Sequence, residues 1–67
     1  MSEDRKRLIC KENGFNVYKS VDEYGRVHLY AYLNRKQIAE EMFLVTDRVT
    51  FDRCLEFFIR RAKEKIS

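Results

Sequence analysis

The sequence predicts a small α+β domain, a two- to three-stranded antiparallel sheet packed on one C-terminal amphipathic helix in the order βββα. Two alternating, aromatic-rich runs flank a Gly-containing turn between Phe15 and Leu33. An apolar stripe at helical spacing runs from Phe51 to Ile66, and no Gly or Pro follows Gly25. At 67 residues the chain makes one domain, residues 1–67, because chains divide only well above this length. Four Tyr and five Phe, with no Pro and two Gly, supply the apolar mass for an ordered core.

Residues 1–6 are polar and charged and are expected to form a frayed arm. Arg7-Leu8-Ile9-Cys10-Lys11 reads as a short edge strand or a lead-in, and Glu12-Asn13-Gly14 as a turn, since Asn-Gly tolerates positive φ. From Phe15 to Val21 the pattern alternates. Phe15, Val17 and Val21 point one way, with Lys19 as the exception, and Asn16, Tyr18 and Ser20 the other. Asp22-Glu23-Tyr24-Gly25 breaks the run. Val27, Leu29, Ala31 and Leu33 then share one face, and Arg26, His28, Tyr30 and Tyr32 the opposite one. These two runs form a β-hairpin.

Asn34-Arg35-Lys36 reads as a polar turn. Gln37–Val45 admits a short helix capped by Asn34, with Ile38, Met42 and Val45 at helical spacing, or a strand paired with Arg26–Leu33. The strand is favoured over roughly its second half, where Phe43-Leu44-Val45-Thr46 outweighs the local helix preference. The helix is expected from about Arg48 to Lys65. Asp47 or Thr50 caps it, Asp52 suits its positive end, and Phe51, Cys54, Leu55, Phe58, Ile59, Ala62 and Ile66 form its buried stripe. Phe57 lies off the stripe, either closing the core edge or marking a partner patch.

Catalytic signatures are missing. There is no Gly-rich phosphate loop, no GxSxG and no HExxH, and the single His28 stands mid-strand without a nucleophile pattern around it. Glu40 and Glu41 are adjacent and so diverge on a strand or a helix. The expectation is no enzyme, no cofactor and no small-molecule substrate. Cys10 and Cys54 lack CxxC spacing and metal partners, so no metal site is expected; two lone thiols fit core packing in a reducing, cytoplasmic setting, with a disulfide or dimer contact as the other option. The N-terminal apolar run is too short for a signal-peptide core, and the longest such run, Met42–Val45, is far too short for a membrane span.

The formal charge of +3 is unevenly spread: +2 over residues 1–20, −2 over 21–47 and +3 over 48–67. Basic ends that meet in space would present positive charge on one face, while the same charge fits an ordinary solvated surface. The sheet face opposite the helix is expected to carry Asn16, Tyr18, Arg26, His28, Tyr30 and Tyr32. Tyrosines stack on bases, and Arg, Asn and His donate to phosphates or base edges, so this face has the chemistry for nucleic acid. Tyr is also an ordinary residue of exposed strands.

Tyr18, the turn residues Asp22 and Gly25, Tyr30 and Tyr32, and Leu44-Val45-Thr46-Asp47-Arg48-Val49 before the helix carry a resemblance over about residues 14–62. The order resembles the N-terminal arm-type DNA-binding domain of tyrosine integrases from phages and conjugative transposons. That resemblance implies a three-stranded sheet entering the major groove of duplex DNA. It makes Tyr18, Arg26, His28 and Tyr30 contact candidates, with Lys19 and Lys36 near phosphates. The expected function is a small nucleic-acid-binding module acting on duplex DNA, in the role of a phage or mobile-element accessory protein. The alternative is a protein-interaction or homodimerisation module whose interface uses the acidic middle segment, Phe57 and the tyrosine face.

Overall fold

The computed structural model describes residues 6–12 and 14–66. The expected frayed arm, apart from Lys6, and Asn13 of the first turn lie outside the described residues. The sheet has four antiparallel strands, β1 (Arg7–Glu12), β2 (Phe15–Val21), β3 (Val27–Leu33) and β4 (Lys36–Phe43), followed by α1 (Phe51–Ile66). Strand order follows chain order, so each strand pairs with the next and β1 and β4 form the edges. The α+β class and C-terminal helix stand as expected, and the strand count is corrected from two or three to four. The lead-in Arg7–Lys11 is a full edge strand, and β4 spans the whole of Lys36–Phe43 rather than the later half of its segment.

Turn chemistry sets the registers. Gly25 (φ +80°) closes the β2–β3 loop, where its N–H donates to Asp22 O and the Asp22 N–H donates to Arg26 O, each at 3.0 Å. This is a three-residue hairpin loop with glycine at its left-handed position. The β3–β4 connection is tighter: Leu33 pairs with Lys36 across Asn34 (φ +52°) and Arg35 (φ +69°). Two consecutive positive φ values define a type I′ turn, which favours Asn-Gly, so Arg35 holds a conformation that costs a side-chain-bearing residue about 1–2 kcal/mol.

Both edge strands carry a bulge, between Leu8 and Cys10 on β1 and opposite Ala31/Tyr32 on β4. Each bulge turns two successive residues inward, Ile9 with Cys10 and Ile38 with Ala39, all packed on the core. The core is built from Phe15, Val17, Val27, Leu29 and Ala31 beneath Phe58 and Ala62. Phe51, Leu55 and Ile59 complete the helix side, and Cys54 is buried on the same stripe. The thiols of Cys10 and Cys54 are free. Burial, and then the bond from its Sγ to Glu12 Oε2 at 3.3 Å, push the Cys10 thiol pKa up. Ile66, at the helix end, is 37% exposed instead of buried. Phe57 is 44% exposed, yet its ring meets Phe43 edge-on at 6.2 Å, so it closes the core edge with one side and faces solvent with the other.

The helix starts later than its expected Arg48. Thr46 Oγ1 accepts from the N–H groups of Arg48 and Val49 at 3.1 and 3.0 Å, which holds those residues in a turn. Thr50 is the cap: its carbonyl accepts the first helical bond from Cys54 N–H, and its Oγ1 accepts from Arg53 N–H at 3.4 Å. Thr50→Ala is therefore expected to lower stability by about 1 kcal/mol, read as a shifted urea midpoint, whereas Asp47→Ala leaves the midpoint in place.

Candidate nucleic-acid interface

Side chains alternate along each strand, so the face turned from the helix is assembled in rows across the sheet. One row runs Lys11, Asn16, Tyr32, Gln37; the next runs Leu8, Tyr18, Tyr30, Glu40; a third runs Ser20, His28, Met42. Four of the expected site residues, Tyr18, His28, Tyr30 and Tyr32, thus come together on one surface. Arg26 joins them at the edge, immediately before β3.

Lys19 and Lys36 do not. The Lys19 ammonium lies over the Phe51 ring at 4.5 Å, on the helix side. Lys36 is exposed opposite Leu33, a residue packed on the core, and so also leaves the sheet on the helix side.

The aromatic centre is ordered by contacts within the face. Tyr18 and Tyr32 meet edge to face at 5.4 Å and 80°, and the His28 and Tyr30 rings lie nearly parallel, 6.5 Å apart. Ser20, although buried, shares a hydrogen bond with the Tyr30 hydroxyl at 3.1 Å. Lys6 reaches across β2: its Nζ donates to Tyr32 Oη at 2.7 Å and sits 4.3 Å from the Tyr30 ring centre. Tyr32 O–H donates in turn to Gln37 Oε1, and Gln37 Nε2 to Glu40 Oε1. The Tyr32 hydrogen bond is the main cause that raises the Lys6 pKa.

The two ends of the face differ electrostatically. At one end the Asp22 carboxylate binds Arg26 Nε at 2.7 Å and His28 Nε2 at 3.0 Å through a single oxygen. Its other oxygen accepts the backbone N–H groups of Tyr24 and Arg26. An ionised carboxylate only accepts, so His28 Nε2 carries the proton of its bond. Arg26 and His28 are thereby occupied by an internal anion. At the other end stand Lys6, Lys11 and Arg35, and among the described residues the Arg35 side chain has no hydrogen-bond or carboxylate partner. Lys6, Asn16, Tyr18, Tyr32 and Arg35 line a cleft of about 340 Å³.

The His28 bond first, then the bonds from Arg26 and Tyr24, hold the Asp22 carboxyl well below the usual carboxylate range. A depressed folded pKa stabilises the fold above the unfolded value, about 3.9, and that stabilisation is lost as pH falls. Asp22→Asn is expected to lower the melting temperature at neutral pH. The gap to wild type should close as the pH is taken below about 4, and a gap independent of pH would sink this assignment.

Sequence reasoning placed Lys6 in the arm and Arg35 in a polar turn, and named Asn16 on the face without making it a site residue. A positive-φ pair at Asn34-Arg35 was the hidden signal, obscured because Arg stands where Gly usually would. Among the described residues no cluster of His, Cys, Asp and Glu could hold a metal ion, and no helix is long and apolar enough to cross a membrane. Compared with known proteins, the chain matches no family model, no curated protein and no solved structure.

Proposed function

We propose that the protein is a nucleic-acid-binding module that acts through the open face of its sheet. The observation that carries this reading is the juxtaposition of Tyr18 and Tyr32 with Lys6 and Arg35 around one cleft, with the Tyr30 ring beside it under the Lys6 ammonium. Aromatic surface beside cations is the combination that nucleic-acid platforms use, rings for bases and cations for phosphates. The occupied pair Arg26 and His28 contributes shape more than charge at the Asp22 end.

The test is a titration of labelled DNA and RNA, single-stranded and duplex, at several salt concentrations. The reading expects binding that weakens steadily with salt. Binding absent for every nucleic acid at low salt sinks it.

One observation favours a second reading, self-association. Met42, Leu44, Val45 and Val49 are 42–61% exposed, where β4 ends beside the half-exposed Phe57. β4 is also an edge strand whose outer side is open to pairing. Light scattering over a concentration series separates the two: this reading requires a dimer that Leu44→Asp disperses.

A further inference from the structure

We infer that the cleft between Asn16, Tyr18, Tyr32, Lys6 and Arg35 is a subsite for one unpaired nucleotide, so that the protein prefers single-stranded to duplex nucleic acid. This rests on the nucleic-acid reading above and specifies its ligand.

The first support is size. Four strands spaced about 4.8 Å apart put roughly 14 Å between the β1 and β4 backbones, wider than the roughly 12 Å major groove. The open face therefore meets a duplex badly but suits a strand laid across it. The cleft volume of about 340 Å³ falls at the lower end of small-ligand pockets.

Chemistry is the second support. Tyr18 and Tyr32 meet at 80°, so the cleft presents an aromatic face and an aromatic edge together. A base stacks on such a ring only after leaving its own stack, which a single strand permits at little cost. The Asn16 carboxamide has no hydrogen-bond partner among the described residues, and one amide offers both a donor and an acceptor to a base edge. Lys6 and Arg35 on the cleft lining supply charge for the phosphates.

Arg35 provides the third support. It occupies a left-handed position, φ +69°, where glycine would be relaxed, and its guanidinium makes no hydrogen bond or ion pair with any of the described residues in return. A side chain kept there against backbone preference contributes something other than stability.

Fluorescence anisotropy with oligonucleotides of about 12 nucleotides, a length within the site sizes of single-strand binders, tests the inference. The probes are single-stranded RNA, single-stranded DNA and the matching duplex, titrated with the full chain, and the two single strands separate ribose from deoxyribose preference. Single strands should bind at least about tenfold tighter than duplex, and Asn16→Ala should weaken them with the salt slope unchanged.

Arg35→Gly separates function from folding. It should raise the melting temperature, weaken single-strand binding about tenfold, and reduce the salt slope by about 0.7, one phosphate contact on a single strand. Duplex binding as tight as single-strand binding overturns the inference while leaving the parent reading standing. So does wild-type affinity in both Asn16→Ala and Arg35→Gly. No binding to any probe overturns both.

Discussion

Phe58→Ala is expected to remove about 3–5 kcal/mol of folding stability, a large share of what a domain of this size possesses. Phe58 is 1% exposed and packs within the cluster of Phe15, Val17, Val27, Leu29 and Ala31. Truncation loses the transfer free energy of the ring and leaves a cavity that the four-stranded sheet cannot collapse to fill. At about 0.05–0.15 kcal/mol per residue, 67 residues give a total of roughly 3–10 kcal/mol. Urea denaturation followed by circular dichroism reads the loss. Phe57→Ala, one position along the same helix, is the control; it removes a half-exposed ring and should cost far less. Equal losses for the two would mean that the helix docks by a different face.

Tyr18→Ala combined with Tyr32→Ala is expected to abolish most nucleic-acid affinity without unfolding the domain. Stacking on an aromatic side chain contributes about 1–3 kcal/mol per base. Two platforms lost together therefore weaken binding by at least about thirtyfold. Neither ring is in the buried core, and the folding penalty comes from the cross-strand aromatic pair, about 0.5–1.5 kcal/mol, with a small addition from the exposed Tyr32 bonds to Lys6 and Gln37. Lys19→Gln serves as the comparison, since its ammonium lies on the helix side over Phe51. A double variant binding within threefold of wild type would remove the tyrosines from the site, whatever the rest of the face does.

How far the sequence reveals this arrangement depends on which force decides each part. The hairpin and helix were legible because hydrophobic periodicity decides them. Val27, Leu29 and Ala31 at period two, and Cys54, Phe58 and Ala62 at helical period, all become buried. The edge strands were less legible. Each contains a bulge, and a bulge interrupts the alternation that identifies a strand, at Ile9–Cys10 and again at Ile38–Ala39. The helix start was misplaced by a hydroxyl: Thr46 takes the Arg48 and Val49 amides and leaves the cap to Thr50.

Among the candidate site residues, parity alone put Tyr18, His28, Tyr30 and Tyr32 on one face. Long side chains escaped parity. Lys6 reaches over a whole strand to Tyr32, and Asp22 draws in Arg26 and His28, neither of which follows from residue spacing. Lys19 and Lys36 were carried as contacts by the integrase resemblance, and both leave the sheet on the helix side.

The central claim is that nucleic acid meets the open face of the sheet. An amide chemical-shift titration of the full chain with a single-stranded oligonucleotide tests it most directly. The account predicts perturbations confined to Lys6, Asn16, Tyr18, Tyr30, Tyr32, Arg35 and their neighbours, with the outer helix residues Arg53, Arg60 and Lys63 unmoved. Perturbations centred instead on α1, or on Leu44, Val45, Val49 and Phe57, would contradict it.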